Sequence, residues 1–328
     1  VAKRQKLSLQ QKRRVAKSKG NKLKQKTEDS VVLQEQLGPA LSGVVISRFG
    51  EQADVADQTQ TVYRVYLRQN LGSCVSGDRV IFRLDEQNHG VIEAIEPRRS
   101  ELNRPTPYAG VKTIVANVDQ IFVVVAPFPA YSSVILDRYL VACELAQIPT
   151  SIIFNKHDLI KESEEEYFNQ QKTIYNKIGY KVLEVSCKTN KCIDELQSML
   201  KEKESIFVGQ SGVGKSSLIK ALMPQAEVET GEVSENSKLG THTTTASRLF
   251  FLANDGFIID SPGVREFGLS HIDTESIING FVDLKQFVGH CKFRNCQHIQ
   301  EKGCALHQAV IDGKIEKQRL ENYQKIIT

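Results

Sequence analysis

The chain has 328 residues, 40% hydrophobic and 25% charged, an ordinary globular balance that suits two or three modules better than one small core. No apolar run approaches the ~20 residues of a membrane helix, and seven cysteines, odd in number and unevenly spread, argue against a disulfide framework and for free thiols plus a metal site. The net charge of +4 hides an asymmetry: residues 1–26 hold eleven Lys/Arg and no acid, so that 32 of the 43 basic residues face 39 acidic ones in a body of about −7.

Residues 1–38 are polar and Lys/Gln-rich, with apolar residues too sparse for a core, and read as a basic flexible arm. Its start is followed by no apolar segment or small-residue cleavage site, so it is not a signal peptide and the protein is expected in the cytoplasm. A basic arm on an acidic body suggests a polyanionic partner, bound by salt-sensitive counterion release; the plainer alternative is a solvating tail.

Residues 39–103 carry short β-type runs, Val44–Ile46, Val62–Tyr66, Val80–Phe82 and Val91–Ile95, separated in part by turn signals at Gly77-Asp78 and Asn88–Gly90. About five short strands in so little chain predict a small barrel of OB-fold type. Arg98, Arg99 and Arg104 follow directly and tilt this module toward nucleic acid.

From 104 to 274 strands and helices alternate, as in an α/β sheet with ligands at the strand ends. Ile121–Val125 is a buried strand, and Ser132 can cap a helix running to Gln147. Ser151–Phe154 is the next strand, an acidic helix spans Lys161–Ile178, and further strands fall at 182–185, 206–208, 249–252 and 257–259.

Four motifs follow strands of this region. Asn155-Lys156-His157-Asp158 is the guanine-selective N-K-x-D arrangement: the Asp158 carboxylate can accept from both N1–H and the exocyclic amine of guanine, a pair that adenine lacks. Ser186-Cys187-Lys188 resembles the S-A-K element, whose backbone N–H meets the guanine carbonyl, with Cys in place of Ala. Gly209-Gln210-Ser211-Gly212-Val213-Gly214-Lys215-Ser216, with Ser217 after it, is the phosphate loop G-x-x-x-x-G-K-S. Its glycines let backbone N–H groups face the phosphates, Lys215 neutralises them, and Ser216 offers magnesium a ligand. Asp260-Ser261-Pro262-Gly263 fits D-x-x-G, in which the Asp orients a magnesium-bound water and the Gly N–H senses the γ-phosphate.

Between the loop and D-x-x-G lies Gly240-Thr241-His242-Thr243-Thr244-Thr245, of which Thr244, ahead of Thr243, is the expected second magnesium ligand. The residue after D-x-x-G, where many GTPases place a water-orienting glutamine, is Val264; His242 is the candidate catalytic replacement. The base motifs precede the phosphate loop, so the GTPase domain is circularly permuted, and the chain beyond Gly263 leads straight into the C-terminal module.

In residues 275–328, Cys291-x4-Cys296-x-His298-x5-Cys304 suits a closed tetrahedral zinc site, structural because four protein ligands leave no open position; His290 and His307 are alternative ligands. Ile311, Ile315, Leu320, Tyr323 and Ile327 then fall at helical spacing, as in a packing helix.

The permuted order, the upstream barrel, G-x-H-T-T-T, D-S-P-G-V-R-E-F and C-x4-C-x-H-x5-C together closely resemble the ribosome small-subunit-dependent GTPase A family (RsgA/YjeQ), over about Leu41–Thr328. Lys6-Leu7-Ser8 and Gln10–Val15 resemble its basic N-terminal start. The resemblance implies a multidomain protein of OB-fold, permuted P-loop GTPase and zinc-binding domain that binds the small ribosomal subunit and its rRNA late in assembly. It would hydrolyse GTP to GDP with magnesium and carry one structural zinc; separately, a monomer that does not engage membranes is expected. A nucleotide-independent RNA-binding protein conflicts with intact Lys215, Ser216, Asp158 and Asp260, and a small-metabolite kinase with N-K-x-D.

Overall fold

The computed structural model describes residues 37–68, 70–106, 110–223, 247–261, 272 and 274–328. All of the expected basic arm except Leu37 and Gly38 lies outside these residues, as do His242, Thr244, Pro262, Gly263 and Val264.

The first module is a closed barrel of β1 (Leu41–Phe49), β2 (Gln52–Asp57), β3 (Val62–Leu67), β4 (Arg79–Leu84) and β5 (Gly90–Ile95). The strand order is β1-β2-β3-β5-β4, with β4 closing onto β1 and β3 parallel to β5, the five-stranded OB-type barrel that the sequence predicts. Period-two alternation sends Val45, Val55, Val65, Val80, Phe82 and Ile92 inward, while Val44 and Ile46 of the same first strand join the core of the next module. Strand β2 is absent from the apolar runs of the sequence. A hairpin of β6 (Glu101–Thr106) and β7 (Gly110–Ala116) follows and straddles residue 104, where the GTPase region was expected to begin.

The second module is a six-stranded sheet in the order β10-β9-β8-β11-β13-β12. Its strands are β8 (Gln120–Val125), β9 (Thr150–Phe154), β10 (Lys181–Glu184), β11 (Glu204–Val208), β12 (Arg248–Phe251) and β13 (Phe257–Asp260). All are parallel except β12, which pairs antiparallel with β13. Strand β8 is buried throughout, as a central parallel strand covered on both faces must be. Ile121, Val123 and Val125 point to one layer and Phe122 and Val124 to the other.

Helices α1 (Ser133–Leu145) and α2 (Glu162–Ile178) contribute to the first layer. Helices α3 (Ile193–Leu200) and α4 (Lys215–Leu222) form the second. Ser132 caps α1 by accepting from the Ile135 N–H; the helix ends two residues before Gln147. The connection runs outward from β8 to β9 and β10 and then returns to β11 on the other side of β8. That reversal is the topological switch point at which open α/β sheets bind ligands.

The C-terminal module begins at α5 (Thr274–Asn279) and packs on the same layer as α1 through Ile277, Ile278, Phe281, Leu284, Leu306, Leu320 and Tyr323. Its last segment is two helices rather than one, α6 (Ala305–Ile311) and α7 (Lys317–Ile327). Gly313 breaks the spacing at φ +69°, where a left-handed conformation suits glycine, and Ile311 is left 77% exposed instead of packing. Among the described residues, no helix is long and apolar enough to cross a membrane.

Candidate functional site

Each of the four motifs starts at the C-terminal end of a parallel strand: N-K-x-D after β9, S-C-K after β10, the phosphate loop after β11, and D-x-x-G at the end of β13. The parallel register aligns those ends along one edge of the sheet.

The phosphate loop turns from β11 into α4. Gly209, Gly212 and Gly214 all have positive φ. Gly214, at φ +97°, also has Asn155 Nδ2 only 2.4 Å from where a Cβ would stand, so any side chain there would collide with N-K-x-D as well as strain the backbone. The Lys215 ammonium lies inside the curl and donates to the carbonyls of Gly209 and Gln210, 2.7 Å each. Val213 and Lys215 are buried, Gln210 is half-buried, and Ser211, Gly212, Ser216 and Ser217 are exposed at the mouth and the first turn of α4.

Asn155 joins the two halves of the site. Its backbone N–H donates to Val125 O at 2.8 Å, and its side-chain amide donates to Val213 O in the phosphate loop at 2.9 Å. Its own Oδ1 is buried without a hydrogen-bond partner among the described residues, a polar acceptor whose burial is costly unless something donates to it. Lys156 takes a left-handed φ of +57° and spans the crevice, donating to Gly212 O at 2.6 Å and Phe128 O at 3.0 Å.

After Lys156 a short 3-10 turn, His157–Leu159, presents Asp158 at the surface. The buried Ser186 hydroxyl donates to Asp158 Oδ1 at 2.6 Å while accepting the Thr189 N–H at 3.2 Å. The serine of S-C-K therefore fixes the carboxylate of N-K-x-D, a link that spacing alone does not reveal. His157 donates its backbone N–H to Val185 O and turns its ring Nε2 toward Lys191, 2.9 Å away. Cys187 is half-buried, with its thiol pKa raised by burial, and Lys188 is exposed.

At the far edge, Asp260 is half-buried and stands opposite Arg248 of β12. Ser261 is buried, its hydroxyl 2.6 Å from that of Ser247. The Ser216 hydroxyl and the Asp260 carboxylate are hard oxygen donors, the class that magnesium takes.

A second cluster lies in the C-terminal module. The ligand atoms of Cys291, Cys296, His298 and Cys304 fall within 4.8 Å of one another. His298 Nδ1 is 3.5 Å from Cys291 Sγ and 3.4 Å from Cys304 Sγ. Zinc bonds of about 2.3 Å to sulfur and 2.0–2.1 Å to nitrogen, at tetrahedral angles, require S···N edges of roughly 3.6 Å, so the Cys3His set is consistent with zinc. Burial lowers the His298 pKa and favours the neutral ring that ligates metal, and the Ala305 N–H donates to Cys291 Sγ at 3.2 Å. Neither alternative histidine joins the cluster: His307 pairs with Ile299 O at 2.9 Å and His290 is exposed.

The family profile described as RsgA GTPase matches residues 95–270. A protein of Actinobacillus succinogenes named "Small ribosomal subunit biogenesis GTPase RsgA" is 44% identical over 333 residues, covering 99% of this chain and 96% of its own. The crystal structure of YjeQ from Thermotoga maritima superposes with a TM-score of 0.72 at 32% identity, over 88% of this chain and 98% of that one. The structure titled "YloQ, a circularly permuted GTPase" gives 0.68 at 27% identity, over 88% and 94%.

Proposed function

The chain belongs to the RsgA family of circularly permuted GTPases and is a GTP hydrolase, and from that premise we propose that it binds the small ribosomal subunit late in assembly and hydrolyses GTP in response to it. The observation that carries the nucleotide half of this reading is the hydrogen-bonded joining of base and phosphate motifs, Asn155 Nδ2 to Val213 O and Ser186 Oγ to Asp158 Oδ1.

In this reading Asp158 accepts from the guanine N1–H and amine, and Ser186 holds it in place to do so. The backbone at Ser186-Cys187-Lys188 donates to the guanine carbonyl. The loop from Gly209 to Ser217 wraps the phosphates with N–H groups, and Lys215 exchanges its two carbonyl partners for phosphate oxygens. Ser216, with Thr244, would hold magnesium, which would supply charge neutralisation at the phosphates. Asp260 and the Gly263 N–H report on the γ-phosphate. Val264 can neither donate nor accept, so hydrolysis by the protein alone is slow, and His242 orients the attacking water once the subunit is bound.

Cys291, Cys296, His298 and Cys304 would hold one zinc ion per chain, which would staple the loops of the C-terminal module and leave no coordination site for chemistry. On the barrel, β3 exposes Val62, Arg64 and Tyr66, and the Arg64 guanidinium lies 5.0 Å from the exposed Phe49 ring. Aromatic rings beside guanidinium groups suit stacking on rRNA, and the basic arm adds salt-dependent attraction. The protein works as a cytoplasmic monomer.

The test is single-turnover GTP hydrolysis with and without purified small ribosomal subunits. Subunits raise the rate strongly in the parent protein, and His242→Ala keeps GTP and subunit binding while losing most of the increase. A parent rate that ignores the subunit contradicts the proposal; an unchanged stimulated rate in His242→Ala removes that residue and leaves the water to a group of the rRNA.

A further inference from the structure

Residues 74–78, between β3 and β4, are a strut rather than a free loop. The Gly77 N–H donates to Val45 O and the Val45 N–H to Asp78 O, 2.9 Å each. Asp78 is fully buried, accepts from the Val75 N–H at 2.7 Å, and takes a two-pronged hydrogen bond from Arg98 at 2.7 and 3.0 Å. On the other side the Ala116 N–H donates to Ser76 O, and Asn117 Nδ2 to Gly77 O. Gly77, at φ +89°, passes so close to β7 that a Cβ would stand 2.2 Å from Ala116 O. Barrel and hairpin thus hold this segment from both sides.

The buried Ser76 hydroxyl at its tip reaches the GTPase sheet and donates to Ser247 O at 2.9 Å. Ser247 immediately precedes β12 and, in sequence, closes the stretch that carries G-T-H-T-T-T. Its own hydroxyl shares a 2.6 Å hydrogen bond with that of Ser261, which is 3% exposed and is the residue after Asp260. Three serines therefore connect the barrel to the strand end that bears the D-x-x-G carboxylate. Each link is a single hydrogen bond from a side chain too short to follow a moving partner.

We propose that Ser76, Ser247 and Ser261 are positioning residues for GTP hydrolysis, forming a relay through which a ligand on the barrel and the nucleotide state at Asp260 influence each other. The relay rests on the subunit-binding reading for the identity of the barrel's ligand, but not for its own existence. Coupling of this kind is reciprocal: what the subunit does to turnover through the barrel, GTP does to the barrel without the subunit. Because the two bonds are in series, cutting either one breaks this relay, while the contacts of Val44, Ile46 and Arg79 with the GTPase body remain. Ser76→Ala severs the link to the barrel, and Ser247→Ala severs the link to Ser261 while keeping the backbone carbonyl that Ser76 uses.

The decisive experiment compares amide hydrogen exchange across residues 74–78 in the free protein bound to GDP or to a non-hydrolysable GTP analogue. The parent protein shows a difference between the two states, and Ser76→Ala and Ser247→Ala abolish it. With small subunits, each variant loses stimulated turnover by about fivefold or more, and the double variant loses no more than the single ones. Ser76→Ala keeps its KM for GTP, which separates positioning from a general loss of fold. An exchange difference that survives in Ser76→Ala, or losses that multiply in the double variant, overturn the relay. If the exchange difference behaves as stated but subunits fail to stimulate the parent, the relay stands and the subunit reading falls.

Discussion

Arg319 and Glu204 are charged residues at two joints of the same GTPase body. At the C-terminal joint, Arg319 on α7 and Asp137 on α1 are both fully buried and paired. Arg319 also forks onto Asp283 at 3.0 and 2.8 Å and lies 4.6 Å from the Phe281 ring centroid. Asp137 accepts further from Tyr175 at 2.8 Å and Asn322 at 2.6 Å. At the barrel joint the buried Glu204 of β11 meets Arg79 and Arg99, whose side chains remain 36% and 61% exposed. Arg99 also reaches Asp119, which accepts the Glu204 N–H.

Only one of these two joints can give. In a dry network every charge depends on all of its partners, so the C-terminal module is fixed to the GTPase sheet. Where water can replace the guanidinium groups, the contact is worth less and can shift at small cost. A rigid attachment of the C-terminal module and a yielding one at the barrel suit the proposed relay, which runs through the barrel.

The largest effect expected from this contrast is at Arg319. Arg319→Met leaves Asp137 and Asp283 without their cation and lowers stability by about 3–5 kcal/mol, read as a shift of the urea midpoint. Adding Asp137→Asn and Asp283→Asn to that variant recovers part of the loss, because the stranded charges are gone. A single-variant loss below about 1 kcal/mol would make the two joints equivalent.

A smaller effect concerns pH at the barrel joint. Burial pushes the Glu204 carboxyl up to about 7 against the pull of Arg79 and Arg99, with Asp119 adding to the rise. The ordinary unfolded value is about 4.3, so between these values the folded state binds more protons than the unfolded one. The contribution of Glu204 is therefore present in full below the unfolded value and is lost as pH rises through the folded one, on the order of 3–4 kcal/mol across that window. Glu204→Gln removes this dependence. Superimposable stability profiles of parent and Glu204→Gln from pH 4.5 to 7.5 would sink the assignment.

The nucleotide motifs were legible in the sequence because phosphate and guanine contacts demand particular residues at backbone-fixed spacing, as at Gly214-Lys215 and Asn155–Asp158. The Cys3His set was legible for the same reason, although only the fold separates His298 from His290 and His307. Strand β2 was not: its buried residues are Ala53, Val55 and Ala56 around Asp54, too small and interrupted to read as an apolar run. Hairpin strand β6 contains Asn103, Arg104 and Pro105 and buries only Leu102 among the side chains described, so composition reads it as a linker. The residues that fasten modules were the least visible. An arginine on a helix, such as Arg319, looks like a solvent-facing residue until Asp137 and Asp283 are brought to it from far away in the chain. Lone serines at 76, 247 and 261 carry no pattern at all.

Base selectivity at Asp158 decides whether the strand-end motifs form a guanine site. In Asp158→Asn the side chain presents an amide where the carboxylate is proposed to accept from N1–H and the amine of guanine, while xanthine carries an oxygen in place of that amine. Binding and single-turnover hydrolysis of GTP and xanthosine triphosphate are compared for the parent protein and Asp158→Asn. The parent is expected to prefer GTP, and Asp158→Asn to weaken GTP and reverse the preference toward the xanthosine nucleotide. Unchanged GTP affinity and guanine selectivity in Asp158→Asn would contradict it.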